Sequence, residues 1–198
     1  KPVFLENDVN AAALGEGFYG AGKGEKDFIC LTYGTGVGGA IVINSNIYKG
    51  IHGVAGEMGH MVTHINGLPC NCGHKGCYEQ YAYTTALLRK VMAYDNNINN
   101  GYLIFSEIEK GNNEIKNIVD NWIDEIIYGL INLVHIFNPS CIILGGGIMK
   151  QKYIIDSINE KIQDKIMDSF KGIKIVPAQL GNNAGVYGMA AIAEEKLK

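Results

Sequence analysis

Residues 56–79, GEMGHMVTHINGLPCNCGHKGCYE, gather Glu57, His60, Cys70, Cys72, Cys77 and Glu79 within two dozen positions. The cysteines follow a C-x-C-x4-C pattern with His60 upstream. Three thiolates and an imidazole are the donor set of a closed, four-coordinate structural zinc site. The glycines and Pro69 let so short a segment double back and bring the sulfurs together. His64 and His74 are also near enough in sequence to act as the fourth ligand, and spacing does not choose among the three histidines. The competing reading is a disulfide between two of the thiols.

Asn7 and Asp8 precede the alanine-rich stretch VNAAALGEGF, which predicts a helix over 9–18 with one of the two as its N-cap. On spacing alone, an N-cap is the simpler role for Asp8. Residues 17–23 spell G-x-x-x-x-G-K, but Gly24 follows where a P-loop has Ser or Thr, and a strand follows where it has a helix. Gly34, Gly36 and Gly39 match the dinucleotide fingerprint in letters, yet here too a strand follows, which excludes that site. What survives is a tight turn whose free N–H groups, with the Thr35 hydroxyl, can cradle phosphate. A plain hairpin turn is the alternative, though it needs fewer glycines. Residues 145–147, GGG after the apolar CIIL, predict close approach of a ligand to backbone at the start of a helix over 151–169.

The elements that must position these groups follow from periodicity. Residues 1–8 start extended, as a short strand or linker. Strands are expected over 28–33 and 40–43 around the turn 34–39, with a second turn at 44–46. Residues 56–60 read as a loop because of their glycines. A helical stretch opens at Cys77, and Thr84 or Thr85 caps another helix. After a polar loop and a short helix comes the strongest pattern: apolar residues at alternating spacings of three and one from Ile115 to Phe137, a core helix over 114–138 stopped by Pro139. His135 near its end reads as structural, favoured by the helix dipole. Strands over 141–144 and 173–177, a loop over 180–185 and a final amphipathic helix over 186–198 complete an α/β chain with a mixed sheet.

With 198 residues, 47% of them hydrophobic, the chain can bury a sizeable core. A net charge of −3 leaves no basic footprint for nucleic acid through this region. Cys30 and Cys141 sit in apolar runs and read as buried thiols, a pattern suited to the reducing cytoplasm. No apolar run is long enough to span a membrane. The sequence opens on Lys1 rather than Met, as though taken from within a longer protein.

ENDVNAA, TYGTGVGGA, GEMGH with CNCGHKGCYE, NPSCIILGGGI and GNNAGVYGMA together resemble the ROK family (repressors, open reading frames and sugar kinases). The likeness covers essentially the whole chain. It implies an actin-like, ribonuclease H-like ATPase domain: a mixed sheet flanked by helices, with a zinc loop. Residues 1–198 would be the C-terminal, larger lobe, and the N-terminal lobe with its Asp-x-Gly-x-Thr phosphate loop would lie outside this sequence. By the same likeness, His60, Cys70, Cys72 and Cys77 would hold structural Zn2+. Asp8 would be the catalytic base, and Asn7, Glu57, His60 and Glu79 would hold sugar hydroxyls. Gly34, Thr35 and Gly36 would sit near the phosphates of ATP, Gly146 and Gly147 near its adenosine, with Mg2+ shared with the absent lobe.

The implied activity is ATP-dependent phosphorylation of a hexose or N-acetylhexosamine, glucokinase-like, by the full-length protein, with the isolated segment inactive. A homodimer or homotetramer is expected, and the long apolar helix is either its surface or simply core. The rival from another class is the sugar-sensing domain of a ROK transcriptional repressor. Several such repressors lack the Asn-Asp pair or the Glu of the GExGH motif, whereas this chain has Asn7, Asp8 and Glu57, which favours the kinase. A stand-alone zinc-stabilised module without catalysis is the third reading.

Overall fold

Five strands make one mixed sheet: β1 (Phe28–Tyr33), β2 (Val37–Ile43), β3 (Asn46–Ile47), β4 (Cys141–Gly145) and β5 (Lys174–Pro177), in the spatial order β3-β2-β1-β4-β5. The molecule is seen here as a computed structural model that describes residues 2–197. β1, β2 and β3 are antiparallel neighbours, while β1, β4 and β5 run parallel. The helices are α1 (Asp8–Tyr19), α2 (Glu79–Ala82), α3 (Thr84–Tyr94), α4 (Gly101–Glu109), α5 (Asn113–Phe137), α6 (Lys152–Ile162) and α7 (Ala184–Lys196).

Alternation along the strands divides the core in two. Ile29, Leu31 and Tyr33 of β1 join Ile142, Leu144 and Ile175 in the cluster that includes α3, α5 and α6. Phe28, Cys30, Cys141 and Ile143 turn the other way and meet Ala13 of α1. Helix α5 dominates the first cluster. Its Ile115, Val119, Trp122, Ile123, Ile126, Ile127, Leu130, Leu133 and Val134 are all at most 1% exposed. Each such side chain contributes roughly 1.5–3 kcal/mol by leaving water. The apolar stripe of α5 is therefore intramolecular core. The Trp122 indole N–H donates to the Tyr83 carbonyl at 3.3 Å, so its one polar atom is satisfied. On the other face, α7 lies against α1 at backbone distance. A Cβ at Gly15 would stand 2.1 Å from the Ala184 carbonyl oxygen, and one at Gly188 would stand 1.8 Å from that of Ala11.

Several elements differ from expectation for identifiable reasons. Residues 2–7 form no strand. Asn7, not Asp8, is the N-cap of α1: its Oδ1 accepts from the Val9 and Asn10 N–H groups at 2.9 and 3.2 Å. β2 begins at Val37, so Gly38 and Gly39 belong to a strand rather than to the turn. Thr84 does not cap α3 through its side chain. It is the first helical residue, and its hydroxyl donates to the Tyr33 carbonyl at 3.3 Å. α6 starts one turn later than the glycines, after a 3-10 turn at Gly147–Lys150, and ends at Ile162 rather than near 169. There the Gln163 side chain takes over, donating to the Ile173 carbonyl and accepting from the Gly172 N–H. His135 stands in the last turn of α5 as expected, where its Nε2 accepts from the Met167 N–H at 3.2 Å and its ring meets Phe170 edge-on. Among the described residues no helix is long and apolar enough to cross a membrane.

Candidate functional site

β1 and β4 are adjacent and parallel, so the chain leaves both at the same edge of the sheet. The carboxyl edge of parallel strands is where open α/β sheets bind ligands. Here it opens into a cleft of about 760 Å³. Asn7, Asp8, Gly34, Thr35, Gly36, Glu57, His60, Glu79, Gly146 and Gly147, all singled out by sequence, line this one cavity.

Asp8 stands in the first turn of α1, solvent-exposed, with Oδ1 accepting from the Val9 N–H at 2.9 Å. Its second oxygen has no hydrogen-bond partner among the described residues. Capping occupies the Asn7 oxygen, which leaves the amide nitrogen to donate into the cleft. Just upstream, Glu6 accepts from Lys49 at 2.6 Å and from the Asn10 amide at 3.1 Å. Burial pushes the Glu6 carboxyl up, but the hydrogen bonds from Lys49, Asn10 and the Asn7 N–H outweigh it and hold the group below its ordinary value.

The segment carrying Glu57 and His60 is pressed onto β2 through glycines. A Cβ at Gly39 would stand 2.5 Å from the Gly56 carbonyl oxygen, and one at Gly59 would stand 2.2 Å from that of Val37. Contact this close folds residues 58–60 into a single 3-10 turn, where a loop was expected. His60 consequently faces two ways. Nδ1 lies 3.6 Å from Cys70 Sγ and 3.9 Å from Glu79 Oε1, while Nε2 lies 3.9 Å from Glu57 Oε2.

Candidate ligand atoms of His60, Cys70, Cys72 and Cys77 all lie within 4.8 Å of one another. All the cysteines are free thiols, which removes the disulfide reading. His64 is drawn elsewhere: its ring stacks on Tyr81 at 3.8 Å, and Nε2 lies 3.5 Å from Glu125 Oε2 on α5. His74 is exposed and takes part through its carbonyl, which accepts from the Cys70 N–H at 2.8 Å. The fourth donor of the set is thus His60. Three sulfurs and a nitrogen converging on one point fit Zn2+. Burial, then the neighbouring Cys72 and Cys70 thiols, push the Cys77 thiol up to about 12, so a thiolate there calls for a cation beside it. Burial also raises Cys70, whereas the backbone hydrogen bond from His74 lowers Cys72.

Cys77 and Glu79 are fixed by the residue between them. Tyr78, fully buried, donates to the Ile126 carbonyl at 2.9 Å and accepts from the Tyr33 hydroxyl at 2.7 Å. The glycine turn after Tyr33 has fewer open amides than the sequence suggested, because the Gly34 N–H donates to the Gly36 carbonyl at 3.0 Å. The Thr35 and Gly36 N–H groups remain for a ligand. At the next strand end, Gly146 has φ of +110°, and a Cβ there would stand 2.1 Å from the Tyr33 carbonyl oxygen. Gly147 differs: a Cβ there would meet nothing within 4 Å, so packing does not demand glycine.

Two cleft residues carried no sequence signal. Glu16, 1% exposed, accepts from the Ala21, Gln179 and Leu180 N–H groups at 2.8–3.1 Å and ties α1 to the loop before α7. Its sign is retrospective: a charged residue on the glycine- and alanine-lined face of α1. Lys150 ends the turn after the glycines.

Sheet order, crossover helices and the cleft at the β1 and β4 edge define an actin-like ATPase domain, the fold of the solved structures that superpose on it. The chain matches the ROK family model over residues 1–196 and belongs to that family. It is 35% identical over its full length to a glucokinase of Thermotoga maritima, covering 67% of that protein. It is 34% identical over 98% of its length to a xylose repressor of Bacillus spizizenii, covering 51%. It superposes with a TM-score of 0.87, at 34% identity, on a ROK family glucokinase from Streptomyces griseus solved with glucose and AMPPNP, covering 98% of this chain and 69% of that one. The chain thus spans about half to two thirds of the length of these relatives.

Proposed function

We propose that the complete protein phosphorylates a hydroxyl of a hexose or N-acetylhexosamine with ATP, and that residues 1–198 form its larger, C-terminal lobe. The observation that carries this reading is Asp8, exposed on the same cleft as Glu57, His60, Glu79 and the glycine turns. The similarity to glucokinases supports it. Phosphoryl transfer asks chiefly for alignment and charge neutralisation. Asp8 takes the proton of the attacking hydroxyl through the oxygen its helix leaves open. Glu57 and Glu79 accept hydrogen bonds from other sugar hydroxyls, the His60 Nε2 edge adds another contact, and the Asn7 amide donates. The Thr35 and Gly36 amides receive phosphate, and the open space at Gly147 admits the adenosine. Mg2+ arriving with ATP supplies charge neutralisation at the phosphates. His60, Cys70, Cys72 and Cys77 would hold Zn2+, which would supply no bond-making chemistry but would steady the His60 imidazole and its tautomer. With one wall of the cleft on another lobe, the segment alone does not turn over.

The similarity to a xylose repressor favours a second reading, a sugar-binding domain that controls transcription. One experiment separates them. The complete protein is assayed for ADP release with ATP, magnesium and a panel of hexoses and N-acetylhexosamines, beside Asp8→Ala. Turnover on one sugar, reduced about 10²–10⁴-fold in the variant, is expected for a general base. Turnover untouched by the substitution would remove Asp8 from that role. No turnover, with a sugar still raising the melting temperature, would move the protein to the repressor reading.

A further inference from the structure

The kinase reading places a polyanion in a cleft lined by carboxylates, and the structure offers little positive charge to meet it. Asp8, Glu16, Glu57 and Glu79 all line the cavity; Glu16 is satisfied by backbone N–H groups, Asp8 and Glu57 are exposed, and Glu79 is mostly covered and accepts from the Cys70 thiol at 3.1 Å. Among the described lining residues, Lys150 is the one Lys or Arg. Six other lysines, among them Lys49 with Glu6, are held in ion pairs. Lys150 has no carboxylate partner among the described residues.

Its position is specific. Lys150 closes the turn that begins at Gly147, and its side chain reaches the separate turn Gly181–Asn183, where a Cβ on Gly181 would stand 3.6 Å from its Nζ. Gly181 has φ of +54° and carries no side chain, so the ammonium lies over bare backbone, on the same cavity that Gly146 and Gly147 line. A cation free of carboxylates, spanning two loops at the mouth of an otherwise acidic cleft, is suited to an anionic ligand. We infer that Lys150 binds the phosphate chain of the nucleotide, so that the cleft takes nucleoside di- and triphosphates in preference to nucleosides. The inference rests on the kinase reading and adds to it a residue outside the glycine motifs.

The test uses the complete protein. Affinities for ATP, ADP and adenosine are measured by titration calorimetry for the parent, Lys150→Met and Lys150→Arg, at two salt concentrations. One charge-assisted hydrogen bond predicts about tenfold weaker ATP binding in Lys150→Met, with adenosine unchanged. The arginine variant restores ATP affinity, and the methionine variant loses part of the salt dependence. Parent-like ATP binding in Lys150→Met would show a solvated surface lysine and overturn the inference. Equal losses for ATP and adenosine would show a packing role and overturn it as well. A parent protein that binds neither ligand would instead take down the kinase reading, and this inference with it.

Discussion

Two sets of residues line the cleft, and they depend on the fold in different ways. Asp8, Glu57, His60 and Glu79 present atoms at the ends of side chains, so each needs something to aim it. A helix N-terminus holds Asp8, the thiol cluster turns the His60 ring, and the Tyr33–Tyr78–Ile126 chain fixes the backbone before Glu79. Residues 34–36 and 145–147 present mostly backbone, aimed by the strands they follow. Their requirement is the reverse: absence of a side chain, at Gly146 because strand ends crowd together and at Gly147, which has open space, so that a ligand can approach. The first set should fail when a support is removed, and the second when an atom is added.

The largest expected effect comes from the metal site. If His60, Cys70, Cys72 and Cys77 hold zinc as proposed, stripping it from the complete protein with a chelator, or making Cys77→Ser, would free the His60 ring and the segment leading to Glu79. Sugar affinity should fall on the order of 10–100-fold while ATP affinity is kept. Zinc analysis beside the two binding titrations checks this, and sugar affinity that survives full metal removal would break the comparison. Next come the glycines. Gly146→Ala forces a Cβ into a left-handed backbone 2.1 Å from the Tyr33 oxygen, costing about 1–3 kcal/mol of stability and weakening ATP binding with sugar binding kept. Gly147→Ala meets no atom within 4 Å, so its stability should stay within about 0.5 kcal/mol of the parent while ATP binding weakens. If Gly147→Ala binds ATP like the parent, ligand approach is not what keeps that position bare.

The smallest effect is a matter of pH. Glu6 is held below its ordinary 4.5, so the folded state binds fewer protons than the unfolded chain just below that value. The stability it contributes is complete above 4.5 and is lost as pH falls through the folded value. Lys49→Met should therefore cost at most about 1 kcal/mol near neutrality, since Lys49 is half exposed, and the deficit should shrink in acid. Denaturant unfolding at both pH values measures it, and a deficit that grows in acid would contradict the sign.

Of the side-chain set, spacing alone points to the cysteine cluster, while Asp8, Glu57, His60 and Glu79 take their roles from the resemblance to the ROK family; the backbone set is legible only in part. Cysteine and histidine spacing carries its own geometry, and apolar periodicity placed β1 and α5 almost to the residue. Glycine carries an ambiguous signal, since the same residue makes a turn and permits close packing. Gly38 and Gly39 were therefore read as turn although they lie in β2, under the Gly56 segment. The end of α6 was missed because buried Ile166 continues the helical period after the helix has stopped. Which histidine completes the thiol set needed the fold, because the partner that diverts His64 is Glu125, far away on α5. Single residues such as Glu16 and Lys150 have no spacing to read.

The loop that carries the thiols enters and leaves the fold at one point. The Tyr78 N–H donates to the Met61 carbonyl at 2.7 Å, Val62 bridges Cys77, and the intervening chain bonds mainly to itself. A segment closed at its base can open and close as a unit without disturbing the sheet beneath it. Its amides should exchange with solvent together, well ahead of those in β1 and β4, and more slowly where zinc is bound to the four candidate ligands. Loss of the metal would then be a local and reversible event, repaired by rebinding rather than by refolding the whole domain.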